Sequence, residues 1–357
     1  MRKGWEYKKL GEVCDIYQPK TISTDMLSKD GEYPVYGANG VIGYYHQYNH
    51  EDKEVLLTCR GATCGNINVS KPYSWINGNA MVIHRKSEFI DFDVLKYMML
   101  SLDYSLIITG AAQPQITRQK LAPIKIAIPP KSTQLAIVSE LDKINELIRL
   151  KKEQLKDFDN LAQSLFYEMF GDPVENEKGW EVKKLIEVSS LINGRAYKQN
   201  ELLSEGKYKV LRVGNFFTNS NFYYSNLELE DEKYCYKGDL LFAWSASFGA
   251  FIWDEDKTIF HYHIWRVLFD KAILDIHYYQ YLLNTMTSFF MNDVHGIGMV
   301  HLTKSGMEQY ELPLPPLSLQ RLFAQRIEQI EREKSEVQKS IQDLETLLAS
   351  RMQYWFE

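Results

Sequence analysis

The stretch Gly4-Trp5-Glu6-Tyr7-Lys8-Lys9-Leu10 returns 175 residues later as Gly179-Trp180-Glu181-Val182-Lys183-Lys184-Leu185. A second match lies further along, where residues 126–130 (Ile-Ala-Ile-Pro-Pro) return 186 residues later as residues 312–316 (Leu-Pro-Leu-Pro-Pro). Because these matches are collinear and mark both ends of a long unit, they indicate duplication of a whole domain. The change of offset from 175 to 186 predicts a net insertion of 11 residues in the second copy.

A helical pattern follows each Pro-Pro pair. Apolar residues recur at alternating spacings of four and three over residues 137–169, and the same pattern returns over residues 323–355. This heptad pattern is typical of a coiled-coil seam, and a helix of about 40 residues is roughly 60 Å long. We expect Ser132 and Ser318 to cap the helices and Gly171 to end the first. The helices either pair with each other, which their matched register favours, or pack on their own domains.

The globular halves are predicted to be rich in strands. Short apolar segments bounded by glycine and polar residues, such as residues 54–58 and 238–244, predict strands. Short helices fit residues 93–102 and 277–286. Basic residues interrupt the helical seams and are expected to fix the register of pairing. These residues are Lys151, Lys334 and Arg351.

The charge of the chain limits how it can meet nucleic acid. The net charge is −6, with +2 on residues 1–130 and −6 on residues 171–316. Any DNA contact must therefore use a local basic face. The chain has no apolar run of transmembrane length and begins with a polar segment, so we expect no membrane contact and a cytoplasmic location.

The residues that could bind metal or catalyse a reaction form no convincing set. The four cysteines form no C-x-x-C pair, so we expect reduced thiols. His261 and His263 would share one face of a strand, either as a packed pair, as a groove-facing pair or as part of a metal site. The chain lacks an Asn-Pro-Pro-Tyr-type methyltransferase motif and a phosphate loop. We therefore predict no catalytic residue and no metal site, and treat the acidic triplets at residues 231–233 and 255–257 as chance matches to a nuclease motif.

Candidate DNA contacts are Arg, Lys, Asn, Gln, His and hydroxyl side chains in glycine-rich loops, because these groups pair with base edges and phosphates. In the first half these are Arg60, Thr63, Asn77, Asn79, Gln113, Gln115, Thr117, Arg118 and Lys120. In the second half they are Arg195, Lys198, Arg212, Ser245, Ser247, His301, Thr303 and Lys304, with Trp244 as a candidate better suited to the core. Residues 110–120 and 296–304 are polar and contain no acid, which suits DNA, although ordinary solvated loops share that composition.

Several motifs together resemble the specificity (S) subunit of type I DNA restriction–modification systems. Besides the duplicated opener and the Pro-Pro segments with their following glutamines, they are residues 34–43 (Pro-Val-Tyr-Gly-Ala-Asn-Gly-Val-Ile-Gly), 60–63 (Arg-Gly-Ala-Thr), 110–116 (Gly-Ala-Ala-Gln-Pro-Gln-Ile), 166–172, 211–215 (Leu-Arg-Val-Gly-Asn) and 237–241 (Lys-Gly-Asp-Leu-Leu). Each motif alone is weak. Their order and duplication over essentially the whole chain make the set specific.

The resemblance implies an α+β fold with two strand-rich target-recognition domains, each followed by a long helix, and the two helices pairing as an antiparallel coiled coil. The expected division is residues 1–130 and 171–316 for the domains and residues 131–170 and 317–357 for the helices. Each domain would bind one half of a bipartite, asymmetric target in double-stranded DNA, while the coiled coil sets the spacing and docks two modification (methyltransferase) subunits. Restriction (nuclease/translocase) subunits would join them. S-adenosylmethionine, ATP and Mg²⁺ would bind those partners, and none would bind this chain.

Three other interpretations remain at this point. The chain could be a nuclease or the remnant of a fused enzyme, against which the missing motifs count. It could be a coiled-coil scaffold that binds only protein. It could also serve another defence system that uses the same specificity architecture.

Overall fold

A computed structural model describes residues 2–86, 89–110, 113–218, 220–292 and 302–356. The chain divides into two compact units, one formed by Met1–Lys152 with Lys339–Glu357 and the other by Glu153–Gln338. Each unit contains one globular domain and parts of both long helices. None of the described helices is long and apolar enough to cross a membrane.

The first unit is built from short strands and helices followed by half of a long helix. Its strands are β1 (Glu6–Lys9), β2 (Cys14–Tyr17), β3 (Tyr33–Gly37), β4 (Gly40–Tyr45), β5 (Val55–Thr58), β6 (Ile67–Val69), β7 (Trp75–Ile76), β8 (Ala80–Arg85) and β9 (Lys125–Ile128). Its helices are α1 (Leu10–Val13), α2 (Phe92–Ser101), α3 (Arg118–Leu121), the first part of α4 (Lys131–Phe170) and the last part of α10 (Leu317–Phe356).

The second unit repeats this order. Its strands are β10 (Glu181–Lys184), β11 (Ser189–Asn193), β12 (Tyr208–Leu211), β13 (Tyr223–Ser225), β14 (Tyr234–Cys235), β15 (Leu240–Ser245), β16 (Ser247–Ile252), β17 (Thr258–Phe260), β18 (Ile264–Phe269) and β19 (Glu311–Leu314). Its helices are α5 (Leu185–Val188), α6 (Val213–Phe217), α7 (Ile276–Thr285), α8 (Thr287–Asn292), α9 (Lys304–Met307), the second part of α4 and the first part of α10.

The two domains share one topology. A four-stranded sheet runs in the order β2-β8-β5-β6 in the first unit and β11-β18-β15-β16 in the second. A second sheet has the order β4-β3-β7 in the first unit and β13-β12-β17-β14 in the second. The duplication predicted from the ends of the repeat therefore extends through the interior, and the α+β fold class is confirmed.

The repeated opener is a strand whose partner is the segment before the Pro-Pro pair. Strand β1 pairs antiparallel with β9, and β10 pairs in the same way with β19. After each opener, a glutamate caps a short helix: the Glu12 carboxylate accepts from the Lys9 N–H at 3.0 Å, and Glu187 accepts from Lys184 at 2.7 Å. In each repeat the opener and the segment before the Pro-Pro pair are hydrogen-bonded to one another, which accounts for the similarity of both segments between the two repeats.

A buried glutamine locks the start of each long helix. Gln134 is 1% exposed, and its amide group donates to the carbonyl oxygens of Phe89 and Pro129 at 3.0 and 2.9 Å and accepts from the Asp91 N–H at 2.7 Å. Gln320, 0% exposed, repeats this arrangement with Ile273, Pro315 and Asp275 at 3.0, 2.8 and 2.8 Å. This pair of residues is called the glutamine clamp below.

The predicted serine caps are wrong. Helix α4 begins at Lys131 and α10 at Leu317, so Ser132 and Ser318 lie inside their first turns. The carbonyl oxygen of Pro130 already accepts the first helical hydrogen bond, from Gln134 at 2.9 Å. The fixed φ of Pro130 preorganises the start of the helix. The side-chain hydrogen bonds of the buried glutamine, and not a serine side chain, stabilise this end of the helix. The predicted C-terminal glycine is confirmed: Gly171 has φ +76°, and its N–H bonds to Tyr167 at 2.8 Å.

In the first unit the two long helices lie antiparallel. Arg351 binds the Glu140 carboxylate, Trp355 donates to the same group at 3.0 Å, and Lys152 pairs with Glu345 at 2.8 Å. Apolar seam residues Ile137, Leu141 and Leu348 pack with Tyr97 of the domain's own helix α2. Pairing between helices and packing on the domain therefore occur together.

In the second unit the helices also lie antiparallel. Lys334 pairs with Asp159 at 2.8 Å, while Phe166 and Phe170 both meet Phe323 edge to face, with ring centroids 5.8 and 5.3 Å apart. The same phenylalanines pack on Tyr278 of α7, which joins the helices to the domain core. All twenty predicted seam positions are buried or half-buried, so the predicted antiparallel coiled coil is confirmed.

Candidate nucleic-acid interface

In the first domain, two loops selected from the sequence lie side by side. The turn after β5 meets the segment before α3, where the Ile116 N–H donates to the Cys59 carbonyl at 3.0 Å and Arg60 forms an antiparallel bridge with Gln115. These residues are far apart in sequence. The fold therefore joins the Arg-Gly-Ala-Thr turn and the acid-free segment into one surface.

Two further loops meet the same surface. The Gln18 side chain, just after β2, donates to the Gly78 carbonyl at 2.8 Å and to the Cys59 sulfur at 3.1 Å. The Cys59 thiol bonds in turn to the Asn79 carbonyl at 3.3 Å. The loop after β2 also carries the exposed Lys20, which sequence reasoning missed because no local motif marks it.

The joined loops present positive and polar groups without acids. Residues 18–21, 58–66, 77–79 and 109–120 include four basic residues and no carboxylate. Within the described part of the chain, no hydrogen bond or ion pair engages the side chains of Arg60, Arg118 or Lys120. The exposed candidates here are Arg60, Asn79, Gln113, Gln115, Arg118 and Lys120, with Thr63 and Thr117 half-buried. Such a surface suits phosphate and base edges.

Asn77 does not belong to this surface. It is 4% exposed, and its side-chain oxygen accepts from the Ile22 N–H at 3.0 Å and from the Trp75 indole at 3.1 Å. Its polar atoms are used inside the domain, so we remove it from the candidate contacts. Asn and Gln are ambiguous in sequence because the same amide serves an internal turn or a base.

The equivalent loops of the second domain also converge. The Trp244 indole donates to the Tyr262 carbonyl at 3.0 Å, and the Tyr262 N–H donates to the Arg195 backbone carbonyl at 3.1 Å. The Leu302 N–H donates to the Trp244 carbonyl at 3.4 Å, which repeats the contact between Ile116 and Cys59. Four loops of each domain therefore meet at the same end of the four-stranded sheet.

Two candidates of the second domain are engaged internally. Arg195 makes two hydrogen bonds to Glu201, at 2.8 and 3.1 Å, and it holds the pKa of that carboxyl below its usual range, helped by the Lys198 N–H. Ser245 is 2% exposed at the end of β15. Trp244 is half-buried and stacks on Trp265 at 5.2 Å, in agreement with its predicted core role.

The remaining candidates lie on the surface or at its edge. Lys198, Arg212 and Lys304 are exposed, although Lys304 lies 3.8 Å from Glu308. Ser247 is half-buried beyond Ala246, whose φ of +64° closes the turn between β15 and β16. Thr303 caps α9 through its side chain, which accepts from Gly306 at 3.1 Å. His301 lies outside the described residues.

The predicted strand position of the two histidines is wrong. His261 and His263 lie in the turn between β17 and β18, with ring centroids 4.8 Å apart, and Tyr262 lies between them. Burial lowers the pKa of His261 to about 4, helped by His263 and Arg212, so the ring is neutral near pH 7. In the described part of the chain, no group of three or more His, Cys, Asp or Glu residues could hold a metal ion.

Known proteins match both halves of the chain. The family model described as the type I restriction modification DNA specificity domain matches residues 2–157 and again residues 177–346. A putative type I restriction enzyme specificity subunit of Haemophilus influenzae is 25% identical over 344 residues, covering 91% of this chain and 87% of that protein. A type I restriction enzyme specificity subunit of Methanocaldococcus jannaschii is 21% identical over 395 residues, covering 96% and 92%.

Solved structures share the fold. The S subunit of a type I restriction–modification system from M. genitalium gives a TM-score of 0.57 at 12% identity, covering 99% of this chain and 96% of that one. A chain from a structure described for complex assembly and conformational transition of the type I R-M system gives 0.62 at 19% identity, covering 99% and 97%. With both domain copies matched and the fold shared, this chain belongs to the family of type I restriction–modification DNA specificity subunits.

Proposed function

We propose that this chain is the sequence-reading subunit of a type I restriction–modification complex, in which each globular domain binds one half of a split DNA target. The observation that carries the proposal is the convergence of equivalent loops at the same end of the sheet in both domains. These loops contain basic and amide side chains and no acid between residues 109 and 120 or between 193 and 198. Two such surfaces on one chain suit a bipartite site.

The two half-sites should differ in sequence. Where the first domain presents Arg60 after its central strand, the second has the Ser245–Ser247 turn. Where the first domain has Asn79, the second has His263. Because base recognition depends on the donors and acceptors of individual side chains, different groups at equivalent positions read different bases. The target is therefore asymmetric, and the paired helices set the spacing between its halves.

The partners follow from the resemblance. The complex contains two modification subunits, which carry S-adenosylmethionine and methylate DNA, and restriction subunits, which use ATP and Mg²⁺. The chain itself supplies recognition and no catalytic group. Its cytoplasmic location follows from that of the DNA it reads.

Exposed leucines on the long helices support docking of two copies of one partner. Leu161 and Leu347 occupy equivalent positions of the repeat, lie in different units and are 52% and 45% exposed. Two copies of one partner need two equivalent surfaces, and this pair is matched at the same position of both repeats. We assign these leucines to the docking of the modification subunits.

The test of DNA reading is to produce the chain with its cognate modification subunit and to map the methylated adenines across a genome. A split, asymmetric motif is expected. A single continuous motif would contradict the two-reader assignment. Sequence-independent behaviour of the assembled complex would instead favour a protein scaffold.

The test of docking uses Leu161→Glu and Leu347→Glu, singly and together. Each single change should remove one modification subunit, and the double change should remove both, as measured by the mass of the complex in solution. Leu106→Glu is the matched control, because Leu106 is 89% exposed in the first globular domain and away from the helices. Full assembly of the double variant would refute this assignment.

A further inference from the structure

The second domain contains a groove that the first has no segment to build. Residues 38–39 alone join β3 to β4, whereas residues 212–222 join the equivalent strands β12 and β13. This connection accounts for most of the length difference between the repeats. Together with the neighbouring strand it encloses a groove of about 990 Å³, lined among others by Ser204, Arg212, Ser220, Asn221 and Tyr223.

The groove is shaped by bonds inside the inserted segment. The Asn215 side chain accepts from the Arg212 N–H at 2.8 Å and donates to the Ser220 carbonyl at 2.7 Å. The Thr218 hydroxyl bonds to the Gly214 carbonyl at 2.8 Å and to the Ser220 hydroxyl at 2.6 Å. These contacts hold the described residues of the segment together, so this part of the groove is organised before any ligand arrives.

Arg212 is the charged group of this groove. Its guanidinium carbon lies 5.0 Å from the centre of the Tyr223 ring, and none of the described residues that line the groove carries a carboxylate. A guanidinium stacked on an aromatic ring keeps its five N–H donors directed outward in its own plane. Arg212 is therefore held in place by a contact that leaves its hydrogen-bonding capacity available to a ligand.

The groove continues from the candidate DNA interface. The N–H of His261, in the turn of the interface, donates to the carbonyl of Leu211 at 2.9 Å, directly before Arg212. An anionic strand that crosses the interface would therefore pass this groove. Exposed Asn221 and the serines add neutral donors, and this mixture of one cation with small polar groups is typical of phosphate contacts.

We propose that this groove binds the sugar–phosphate backbone of DNA beside the second half-site, with Arg212 donating to a phosphate and Asn221 to the same strand. The inference rests on the proposed function and adds a contact with the DNA backbone that belongs to the second domain alone. This backbone contact positions the second domain on the duplex and contributes affinity without reading a base.

The test measures DNA binding by the assembled modification complex at several salt concentrations. Arg212→Ala should weaken binding about tenfold or more, as expected for a lost charge-assisted hydrogen bond. It should also reduce the slope of log affinity against log salt by roughly one, because one phosphate contact is lost. Arg212→Lys should recover part of both effects, and Asn221→Asp should weaken binding by repelling the phosphate.

The matched control is Lys271→Ala, which removes an exposed charge just after β18, at the opposite end of that strand from His263. It should leave affinity and salt slope unchanged. Folding of every variant is checked by its assembly with modification subunits.

Three outcomes would contradict the proposal that this groove binds the DNA backbone. If Arg212→Ala and Asn221→Asp both leave affinity and salt slope unchanged while the wild-type complex binds its target, the groove is not a DNA site and the proposed function stands. If Arg212→Ala relaxes preference at one base pair and spares the others, Arg212 reads a base and the backbone assignment is wrong. A wild-type complex that retains no DNA in a sequence-dependent way overturns both proposals.

Discussion

Replacing either residue of the glutamine clamp should destabilise its own unit strongly. Leucine has a similar size to glutamine but removes three hydrogen bonds, so Gln134→Leu leaves the Asp91 N–H and the carbonyl oxygens of Phe89 and Pro129 without that partner. An unsatisfied buried polar group costs about 1–3 kcal/mol, and a carbonyl with a spare lone pair costs least. The expected loss is therefore about 3–5 kcal/mol of unfolding free energy.

The size of this effect makes it easy to measure. For domains of 150–250 residues, about 1 kcal/mol corresponds to roughly 2–4 °C in melting temperature. Thermal and urea denaturation followed by circular dichroism should therefore show a shift of about 6–20 °C for Gln134→Leu. Gln320→Leu should give a similar shift, because its three bonds have nearly the same lengths. Gln325→Leu, at an exposed position of α10, is the matched control and should change little.

A second variant separates hydrogen bonding from packing. Gln134→Glu keeps the shape, but an ionised carboxylate cannot donate to the two carbonyl oxygens and faces them with negative charge. Burial raises the pKa of such a carboxyl in the folded state, so the folded protein binds more protons than the unfolded one, and stability falls as pH rises. The deficit of this variant should therefore shrink as pH is lowered toward 4. Melting of both leucine variants within about 1 °C of the wild type would refute the reasoning.

Two further results are expected. Arg118→Ala and Lys304→Ala should each weaken DNA binding by the assembled complex. The effect should be larger for Arg118, because Glu308 lies 3.8 Å from Lys304 and offsets part of its charge. Undiminished binding by both folded variants would show that these loops do not contact DNA. Arg351 holds the pKa of Glu140 below its usual range, so this pair stabilises the fold above the ordinary glutamate pKa and loses its contribution as pH falls through the lowered value. Glu140→Gln should therefore cost under about 1 kcal/mol near pH 7 and nothing near pH 2 in urea denaturation, since both side chains are about a third exposed; an equal cost at both pH values would contradict the ionic role.

Local patterns in the sequence were sufficient for the two long helices and for two of the short ones. The heptad spacing runs over about five repeats, and its positions are buried or half-buried in both units because a sustained period fixes one face of a helix. The short helices predicted at residues 93–102 and 277–286 are confirmed within one residue, as Phe92–Ser101 and Ile276–Thr285. The strands predicted at residues 54–58 and 238–244 are confirmed within two residues, as β5 and β15.

Features that depend on distant parts of the chain were not predictable. The bonds of Gln134 to the Phe89 carbonyl and of Gln320 to the Ile273 carbonyl join residues 45 and 47 positions apart, and no local pattern distinguishes Gln134 from an exposed glutamine. Asn77 shows the reverse case. Its residue type and loop position predicted a DNA contact, but its side chain is an internal hydrogen-bonding group. The histidine turn was assigned to a strand because spacing by two residues fits a strand and a tight turn equally well.

The contacts explain why the ends of the repeat stayed alike while the interior diverged. Each opener is hydrogen-bonded along its length to the segment before its own Pro-Pro pair, and each clamp ties that pair to the turn before a short helix. A change in one of these elements must be matched by a change in its partner, which couples their sequences. The loops at the end of the sheet are less constrained, because many of their side chains are exposed. Their contacts with one another are backbone hydrogen bonds together with the side-chain bonds of Gln18, Cys59 and Trp244. Arg60 can therefore give way to Ser245, and residues 38–39 to residues 212–222, without disturbing the frame that holds them.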